Sequence, residues 1–324
     1  MSRRGGRPRR ARVRALAKIN LDLRVLNKRP DGYHELRTVF QTISLADTID
    51  AEYQPGRTRI DLKSNINILD NIIVRAADSV MKTTGRTGRL GFVLQKRIPL
   101  GGGLGGGSSN AAAILLALPF LFGKPLPMEK LIELASSLGS DVPFFLLGGT
   151  AVGLSRGTEL YPLPDVPPRP ALLIAPGIHV STAEAYAQLG RELTTGYPAP
   201  TIDSFQSAAW RMANASPAED WGGINDFETI VFRLHPQLKS IKGKLLKLGA
   251  RLALMSGSGS SLFGIFQSRE LRDRAVESLR TEFAKDKVYS VALVSRSRYR
   301  ALWWRQLAAP MDSKVWPPQD RYAE

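Results

Sequence analysis

A run of glycines between two apolar segments limits the folds that this chain can adopt. Six of the seven residues in Gly101–Gly107 are glycine. Glycine loses more conformational entropy on folding than any other residue, so such a run indicates that the fold needs bare backbone there. The segment Gly91–Ile98 before it is predicted to be a strand, and Ser108–Leu118 after it a helix. A strand, a bare loop and a helix N-terminus direct backbone N–H groups toward one place, which favours a phosphate site.

Two common phosphate loops do not fit this run. A P-loop requires Gly-Lys-Ser/Thr after its spacer, and no lysine follows Gly107. Gly101, Gly103 and Gly106 satisfy the dinucleotide-binding spacing, but so many glycines satisfy almost any spacing, and Pro99 stands where a buried parallel strand would end. A plain turn or flexible linker is the alternative explanation of the run, against which the helix start favours anion binding.

The composition excludes several classes of site. The chain has no cysteine, which excludes disulfides, thiolate catalysis and cysteine-ligated metal. Its three histidines are far apart in the sequence, so we assign no metal ligands. No apolar run approaches the roughly 20 residues that a membrane span requires. We therefore expect a cytoplasmic protein without a membrane partner.

The net charge of +16 admits two explanations. A basic chain either binds nucleic acid or another anionic surface, or it is a basic enzyme that handles phosphorylated ligands. Much of the excess lies in Met1–Arg14, which is uniformly basic and poor in apolar residues. We predict residues 1–14 to be a disordered arm, without a specific nucleic-acid partner.

The alternation of strand and helix patterns predicts an α+β protein with two domains. The proline-rich segment Tyr161–Pro170 is the best candidate boundary. We place an N-terminal lobe at residues 15–165 and a C-terminal lobe at residues 166–295. Residues 296–324 contain several tryptophans but show no clear period, and we predict a tail of unknown role.

Two local patterns carry further predictions. The segment Val13–Val25 alternates in the manner of a half-buried strand. The segment Asp226–Leu248 is predicted to be helical throughout.

Five segments, taken together, resemble a known family. Ala17–Asn20, Pro99–Ser109 and Ser256–Ser261 resemble the three motifs of the GHMP kinases, in the same order. Within that superfamily, Lys28–His34 and Gly139–Phe145 resemble the diphosphocytidyl-methylerythritol kinases. Any one of these motifs is weak evidence alone, but five in sequence make the resemblance specific.

The resemblance covers about residues 15–295 and implies a two-domain GHMP kinase fold. The expected N-terminal lobe is similar to the second domain of ribosomal protein S5, and the expected C-terminal lobe is ferredoxin-like, with the active site between them. The implied activity is transfer of a phosphoryl group from ATP, with Mg²⁺ bound to it, to the 2-hydroxyl of 4-diphosphocytidyl-2-C-methylerythritol. The implied partner is thus a small molecule, and the protein is expected to be a monomer or homodimer.

Two alternatives stay open at this point. The chain could be another GHMP kinase that acts on homoserine, mevalonate or a sugar. From a different class, it could be a non-catalytic nucleotide- or RNA-binding protein on the same fold.

The resemblance also assigns site residues, position by position. Lys18 and Asp141 match the family's catalytic pair, and the chemistry is sensible because phosphoryl transfer needs a carboxylate to accept the hydroxyl proton and a cation to orient that hydroxyl. Tyr33 and Tyr186 are expected to sandwich the pyrimidine of the substrate. The remaining implied residues are, for the substrate, Asn20, His34 and Thr182; for ATP, Lys96, Pro99, Gly101, Gly102, Gly103, Leu104, Gly105, Gly106, Gly107, Ser108 and Ser109; and for the third glycine motif, Ser256, Gly257, Ser258 and Gly259.

Overall fold

Two β-sheets stacked face to face, with helices on their outer faces, organise the chain. A computed structural model of the protein describes residues 8–189, 199–214, 222–284, 287–307 and 316–318. Within these residues, six strands form the N-terminal sheet in the order β3-β4-β2-β5-β6, with β1 paired to β2. Its strands are β1 (Arg9–Lys28), β2 (His34–Pro55), β3 (Arg59–Ser64), β4 (Gly88–Gln95), β5 (Thr150–Leu154) and β6 (Glu159–Pro162). Its helices are α1 (Ile72–Thr84), α2 (Gly106–Phe122), α3 (Met128–Leu138) and α4 (Val142–Leu147).

The C-terminal sheet is antiparallel and has the ferredoxin-like strand order that the family resemblance implies. Its described strands lie in the order β10-β7-β9-β8, so the first strand in the chain pairs with the third and the fourth. These strands are β7 (Pro170–Ile174), β8 (Leu252–Met255), β9 (Leu262–Ile265) and β10 (Val288–Ala292). The helices of this lobe are α5 (Thr182–Leu189), α6 (Ala199–Asn214), α7 (Phe227–Leu234), α8 (Pro236–Lys247) and α9 (Arg269–Arg280).

Strand β1 is buried on both faces in the middle of the molecule. Ala17, Ile19 and Leu21 point toward the C-terminal sheet and share an apolar cluster with residues such as Leu173 and Phe263. The side chains between them, which include Lys18, are buried as well. The prediction of a half-buried strand was wrong here, because the side chains that alternation assigns to water are covered as well: Lys18 lies against Asp141, and Asn20 accepts a hydrogen bond from the backbone of Gly257.

The prediction of a disordered arm is wrong for the residues that the structure describes. Residues 9–14 belong to β1, which pairs with β2 from the Arg9–Tyr53 pair onward. Ala11 and Val13 are buried while the arginines between them are exposed, so the arm alternates as an edge of the sheet does. Residues 1–7 lie outside the described residues.

The predicted tail also belongs to the N-terminal lobe, over residues 296–307. This segment is helix α10 (Arg296–Leu307), which packs on β1. Tyr299, Trp303 and Leu307 are spaced four apart, so they lie on one face, and all three are buried in the core between the N-terminal sheet and its helices. The arginines on the other positions obscure this period in the sequence.

Two smaller predictions are refined. The stretch predicted to be helical over Asp226–Leu248 is divided into α7 and α8, because His235 leaves the helical conformation before Pro236. None of the described helices is both long enough and apolar enough to cross a membrane.

The burial of α10 leads to a prediction about stability. Trp303 is 2% exposed in the core, and we expect Trp303→Ala to lower the free energy of unfolding by about 3–5 kcal/mol, the usual cost of truncating a buried aromatic. Trp210→Ala is the matched control, since Trp210 is 65% exposed, and we expect it to change that free energy by less than about 0.5 kcal/mol. Denaturant unfolding of both variants measures the difference. Equal effects would show that residues 296–307 are not part of the core.

Candidate active site

The glycine run forms the N-terminus of helix α2. The helix begins at Gly106, two residues before the predicted start, and Gly105 caps it in the left-handed conformation (φ 65°). Among the described contacts no side chain caps this end, and Ser109 instead donates its hydroxyl to the carbonyl of Leu16 (2.6 Å). The amide groups of the first helical turn are therefore available to a ligand, and the helix dipole favours an anion there.

The glycine loop touches the third glycine motif across the cleft between the lobes. Gly103 has φ 73°, and a Cβ atom added to it would lie 1.9 Å from the carbonyl oxygen of Ser256. The Ser256 hydroxyl donates to the carbonyl of Gly103 (2.9 Å). Only glycine permits this approach, which brings a loop of the N-terminal lobe against the β8–β9 turn of the C-terminal lobe.

Lys18 and Asp141 lie next to each other at this junction. The Lys18 Nζ atom is 3.4 Å from a carboxylate oxygen of Asp141, and the Lys18 backbone N–H donates to the carbonyl of Leu104 in the glycine loop (3.0 Å). The Lys18 side chain is 5% exposed and that of Asp141 31% exposed. Asp141 immediately precedes α4, and within the described contacts its carboxylate does not cap that helix. The structure therefore fixes the ammonium and leaves the carboxylate facing the cleft.

Asn20 connects this pair to the third motif. Its side-chain oxygen accepts hydrogen bonds from Lys18 Nζ (2.8 Å) and from the backbone N–H of Gly257 (3.0 Å). Its amide nitrogen donates to the hydroxyl of Thr38 (2.8 Å). Both ends of the amide are thus engaged with protein groups, and Asn20 also lines the cavity of the cleft. Its predicted contact with the substrate stays a prediction.

A cavity of about 920 Å³ opens from the Lys18–Asp141 pair toward the aromatic end of the cleft. Its far wall is the imidazole of His34 stacked on the ring of Tyr186 (centroids 4.8 Å apart, 19° between planes), with Phe227 edge-on to Tyr186 (4.8 Å, 88°). Tyr33 is 57% exposed at the mouth, where the guanidinium of Arg156 lies 4.7 Å from its ring centroid. His34 thus occupies a position beside Tyr186 in this structure, and the sandwich of the pyrimidine between Tyr33 and Tyr186 stays a prediction.

Burial shifts the pKa values of the titratable side chains in this aromatic wall. Burial, aided by the charge of Lys28, holds the pKa of His34 below its ordinary value. Burial, aided by the nearby Asp141 carboxylate, raises the pKa of Tyr186. Both rings are consequently neutral at pH 7, which suits contact with an uncharged base.

The third motif divides between the cavity and the interior. Ser258 lines the cavity together with Thr182, and their hydroxyl oxygens are 2.8 Å apart. Gly257 also lines the cavity. Gly259 faces the interior, where an added Cβ atom would lie 2.6 Å from the Met255 sulfur.

Lys96 lies beneath the glycine loop and not on an open nucleotide surface. Its ammonium is buried in an ion pair with Asp47, whose carboxylate also accepts the backbone N–H groups of Arg97 (2.7 Å) and Ile98 (2.8 Å). Burial lowers the pKa of Lys96, against the opposing effect of Asp47. In the structure the partner of this side chain is Asp47, and the pair supports the chain where it enters the loop. The predicted role of Lys96 in binding ATP stays a prediction.

The remaining part of the loop faces another space. Pro99, Gly101 and Gly102 line a smaller cavity of about 270 Å³ on the side of the loop toward the C-terminal lobe. In the described chain, no group of three acidic or histidine side chains is placed to hold a metal ion.

Sequence reasoning missed several residues of the cavity, among them Thr38, Phe40, Arg156 and Phe227. Phe40 lies under the ammonium of Lys18, 5.2 Å from the ring centroid to Nζ. Strand pairing places Phe40 opposite Asn20. The alternation of Thr38 and Phe40 beside a strand that carries Lys18 is the signal that a register prediction could have used.

Comparisons with known proteins identify the family and the fold. The family described as GHMP kinases N terminal domain matches residues 71–149, and the family described as GHMP kinases C terminal matches residues 211–285. A homoserine kinase structure from Cytophaga hutchinsonii shares the fold, with a TM-score of 0.67 at 18% identity, over 88% of this chain and 95% of that chain. The fold and the two family matches define the chain as a GHMP kinase, as the sequence resemblance implies.

Relatives of higher sequence identity indicate which kind of GHMP kinase this chain is. A protein from Solibacter usitatus named 4-diphosphocytidyl-2-C-methyl-D-erythritol kinase is 54% identical over 97% of this chain and 98% of its own. One of the same name from Thermus thermophilus is 41% identical over 82% of this chain and 91% of its own. A crystal structure of 4-(cytidine 5'-diphospho)-2C-methyl-D-erythritol kinase has a TM-score of 0.73 at 37% identity, over 87% of this chain and 98% of that chain. The chain belongs to the 4-diphosphocytidyl-2-C-methyl-D-erythritol kinase family.

The contact between the two glycine segments gives a prediction. We expect Gly103→Ala to lower the free energy of unfolding by about 1–3 kcal/mol more than Gly101→Ala does, because the new methyl overlaps the Ser256 carbonyl. Gly101 is the matched control: it has the same left-handed backbone (φ 64°), and an added Cβ atom there meets no described atom within 4 Å. Thermal or denaturant unfolding compares them. Equal losses would show that the lobes do not depend on this contact.

The lowered pKa of His34 gives a pH dependence with a defined sign. The unfolded chain takes up a proton near the ordinary value of 6.5, whereas the folded chain does so only at lower pH, so the contribution of His34 is present above pH 6.5 and is lost as pH falls through the folded-state pKa. We expect wild-type stability to decline more steeply between pH 7.5 and 5 than that of His34→Gln. Unfolding free energies measured across this pH range give the difference between the two proteins. If both free energies depend on pH in the same way, the lowered pKa of His34 is contradicted.

Proposed function

We propose that this chain transfers the γ-phosphoryl group of ATP to the 2-hydroxyl of 4-diphosphocytidyl-2-C-methyl-D-erythritol, giving the 2-phosphate and ADP, in non-mevalonate isoprenoid precursor biosynthesis. The observation that carries the proposal is the Lys18–Asp141 pair beside the N-terminus of α2. Membership of the family supports the choice of substrate. Each part of the cleft supplies one requirement of that reaction.

The glycine loop binds the phosphates in this proposal. The uncapped first turn of α2 presents backbone N–H groups toward the same place as Lys18 and Asp141. Magnesium, when bound with ATP, neutralises charge on the phosphate oxygens. This ion keeps water and phosphate oxygens as most of its ligands, so it needs few protein ligands, and Ser108 lines the cavity with a hydroxyl of the required kind.

Asp141 accepts the proton of the attacking hydroxyl. Its carboxylate is partly exposed to the cavity and 3.4 Å from the Lys18 ammonium, which favours its ionised form. Lys18 in turn has its position fixed by Asn20 and by Leu104. A cation held in this way orients the acceptor hydroxyl and stabilises negative charge as the phosphoryl group is transferred.

The aromatic end of the cavity receives the cytidine. His34, Tyr186 and Phe227 form its apolar wall, and stacking of a base on such a surface contributes about 1–3 kcal/mol. Lys28 and Arg156 line the same end and add positive charge where the diphosphate of the substrate passes.

A panel of acceptor substrates distinguishes this proposal from the alternative that the chain is another GHMP kinase. We expect ADP release with 4-diphosphocytidyl-2-C-methylerythritol and only background release with homoserine, mevalonate or galactose. Release with one of the latter alone would assign the chain to another GHMP kinase activity. Absence of release with every acceptor, together with intact nucleotide binding, would favour the non-catalytic alternative.

The role of Asp141 gives a sharper prediction. We expect Asp141→Asn to lower kcat by about 10²–10⁴-fold, the usual range for loss of general base catalysis, with a smaller effect on KM. Asp78→Asn, on the exposed face of α1 where Asp78 pairs with Lys82, is the control and should keep wild-type kcat. Steady-state ADP release measures both. Near wild-type turnover by Asp141→Asn would refute the assigned base.

A further inference from the structure

The helix that follows Asp141 is too short to be stable without contacts from the rest of the protein. Helix α4 has six residues, Val142–Leu147, and the last four carbonyls of any α-helix lack partners inside it. Isolated helices of this length are not stable in water, so the position of α4 depends on its surroundings. Asp141 is the residue immediately before this helix, so its position is tied to that of α4.

Residues beyond the C-terminal lobe supply the missing partners. The Tyr299 hydroxyl, on α10, donates to the carbonyl of Phe145 (2.5 Å), and the Trp316 indole N–H donates to the carbonyl of Leu146 (3.0 Å). Tyr299 is buried, and burial raises the pKa of its phenol, so the hydroxyl stays protonated and remains a donor. Two consecutive carbonyls at the end of α4 are thus held by side chains from one distant segment.

The same segment fixes the chain immediately after α4. An added Cβ atom at Gly148 would lie 2.3 Å from the Tyr299 ring, so the tyrosine packs directly on the helix end. Arg296 donates to the carbonyl of Thr150 (2.5 Å), and its own backbone N–H donates to the carboxylate of Asp165 (2.6 Å). Together, Arg296, Tyr299 and Trp316 hold residues 145–150 in place, and we call these three side chains the clamp.

The clamp reaches both parts of the active site through α4. At the N-terminal end of the helix stands Asp141, and in its middle the Phe145 ring packs against the glycine loop, where an added Cβ atom at Gly105 would lie 2.8 Å from it. Phe145 therefore contacts the phosphate loop with its ring while Tyr299 holds its carbonyl. Displacement of α4 would shift the carboxylate and the loop together.

We infer that Tyr299 and Trp316 are positioning residues for phosphoryl transfer, which act by fixing α4 and through it Asp141 and the glycine loop. The inference rests on the proposed role of Asp141. It assigns to the C-terminal segment, which lies outside the cavity, a share in the rate of the reaction. The aromatic wall that would bind the cytidine stands on β2, α5 and α7, so the clamp acts on turnover more than on substrate binding.

Tyr299→Phe tests the inference with the loss of one oxygen atom. A misplacement of about 1 Å can lower a rate roughly 10²-fold, and for this smaller change we expect kcat to fall about threefold to tenfold with KM for the acceptor within about twofold of wild type. We also expect faster amide hydrogen exchange in residues 142–147, a readout that does not depend on the identity of the substrate. Trp316→Phe removes the second donor and should change both quantities in the same direction.

Tyr53→Phe is the matched control. Tyr53 is also buried in the N-terminal lobe, and its hydroxyl also donates to a backbone carbonyl, that of Thr87 (3.1 Å), away from α4. We expect it to lower the unfolding midpoint as Tyr299→Phe does while leaving kcat and exchange in residues 142–147 unchanged. The inference is overturned if Tyr299→Phe and Trp316→Phe have the same kcat, and the same amide hydrogen exchange in residues 142–147, as Tyr53→Phe.

The two proposals fail in different ways. Loss of activity in Asp141→Asn with wild-type turnover in Tyr299→Phe and Trp316→Phe would overturn the positioning role and leave the base assigned. Retained activity in Asp141→Asn would overturn the base, whatever the tyrosine variant does. Should Tyr299→Phe fail to fold, Trp316→Phe decides the matter, since Trp316 lies at the edge of the core and is only partly buried.

Discussion

A row of polar side chains on a strand that is buried on both faces determines much of this structure. Lys18, Asn20 and Asp22 alternate along β1 with apolar residues, and all three are almost inaccessible to water. A buried charge without a partner costs several kcal/mol, so each must be satisfied from elsewhere in the chain. Lys18 has Asp141 and Asn20. Asp22 has the guanidinium of Arg24 and the backbone N–H of residue 224, in the C-terminal lobe. Satisfying one strand therefore brings together a loop, a short helix and a second domain, and the cleft forms where they meet.

The cleft has two ends with different physical character. Near Asp141 the groups are charged and backbone amides are exposed, which suits phosphates and a reacting hydroxyl. Near Tyr186 the groups are aromatic and neutral, which suits a base. Their connection is the contact of Gly103 with Ser256, which joins the lobes at the point where the two environments meet. The shape of the cleft thus depends on the relative position of the two domains, because both contribute residues to its aromatic end.

Sequence reasoning recovered the elements that depend on local pattern and missed those that depend on distant packing. The glycine loop and the helix that follows it can be predicted from glycine content and periodicity, whereas the ferredoxin-like sheet was implied by the family resemblance. The proximity of Lys18 to Asp141 followed from the family motifs, since nothing local links residues so far apart. The double burial of β1, the engagement of Asn20 by Gly257 and the packing of α10 all require knowledge of what lies opposite in three dimensions. The pairing of His34 with Tyr186 was missed for the same reason, because the ring that faces Tyr186 depends on how the turn before β2 is oriented.

The packing of α10 against β1 has a consequence for biosynthesis. The backbone N–H of Arg14 donates to the side chain of Gln306 (3.0 Å), so a strand and a helix separated by 292 residues share one surface. On the ribosome, β1 emerges long before α10, and the whole ferredoxin-like domain is translated between them. Protein domains commonly fold in order of emergence. Here the later domain has all its strands and helices first, and the earlier one completes its core only when α10 arrives. Until then the β1 surface that α10 covers lacks that partner.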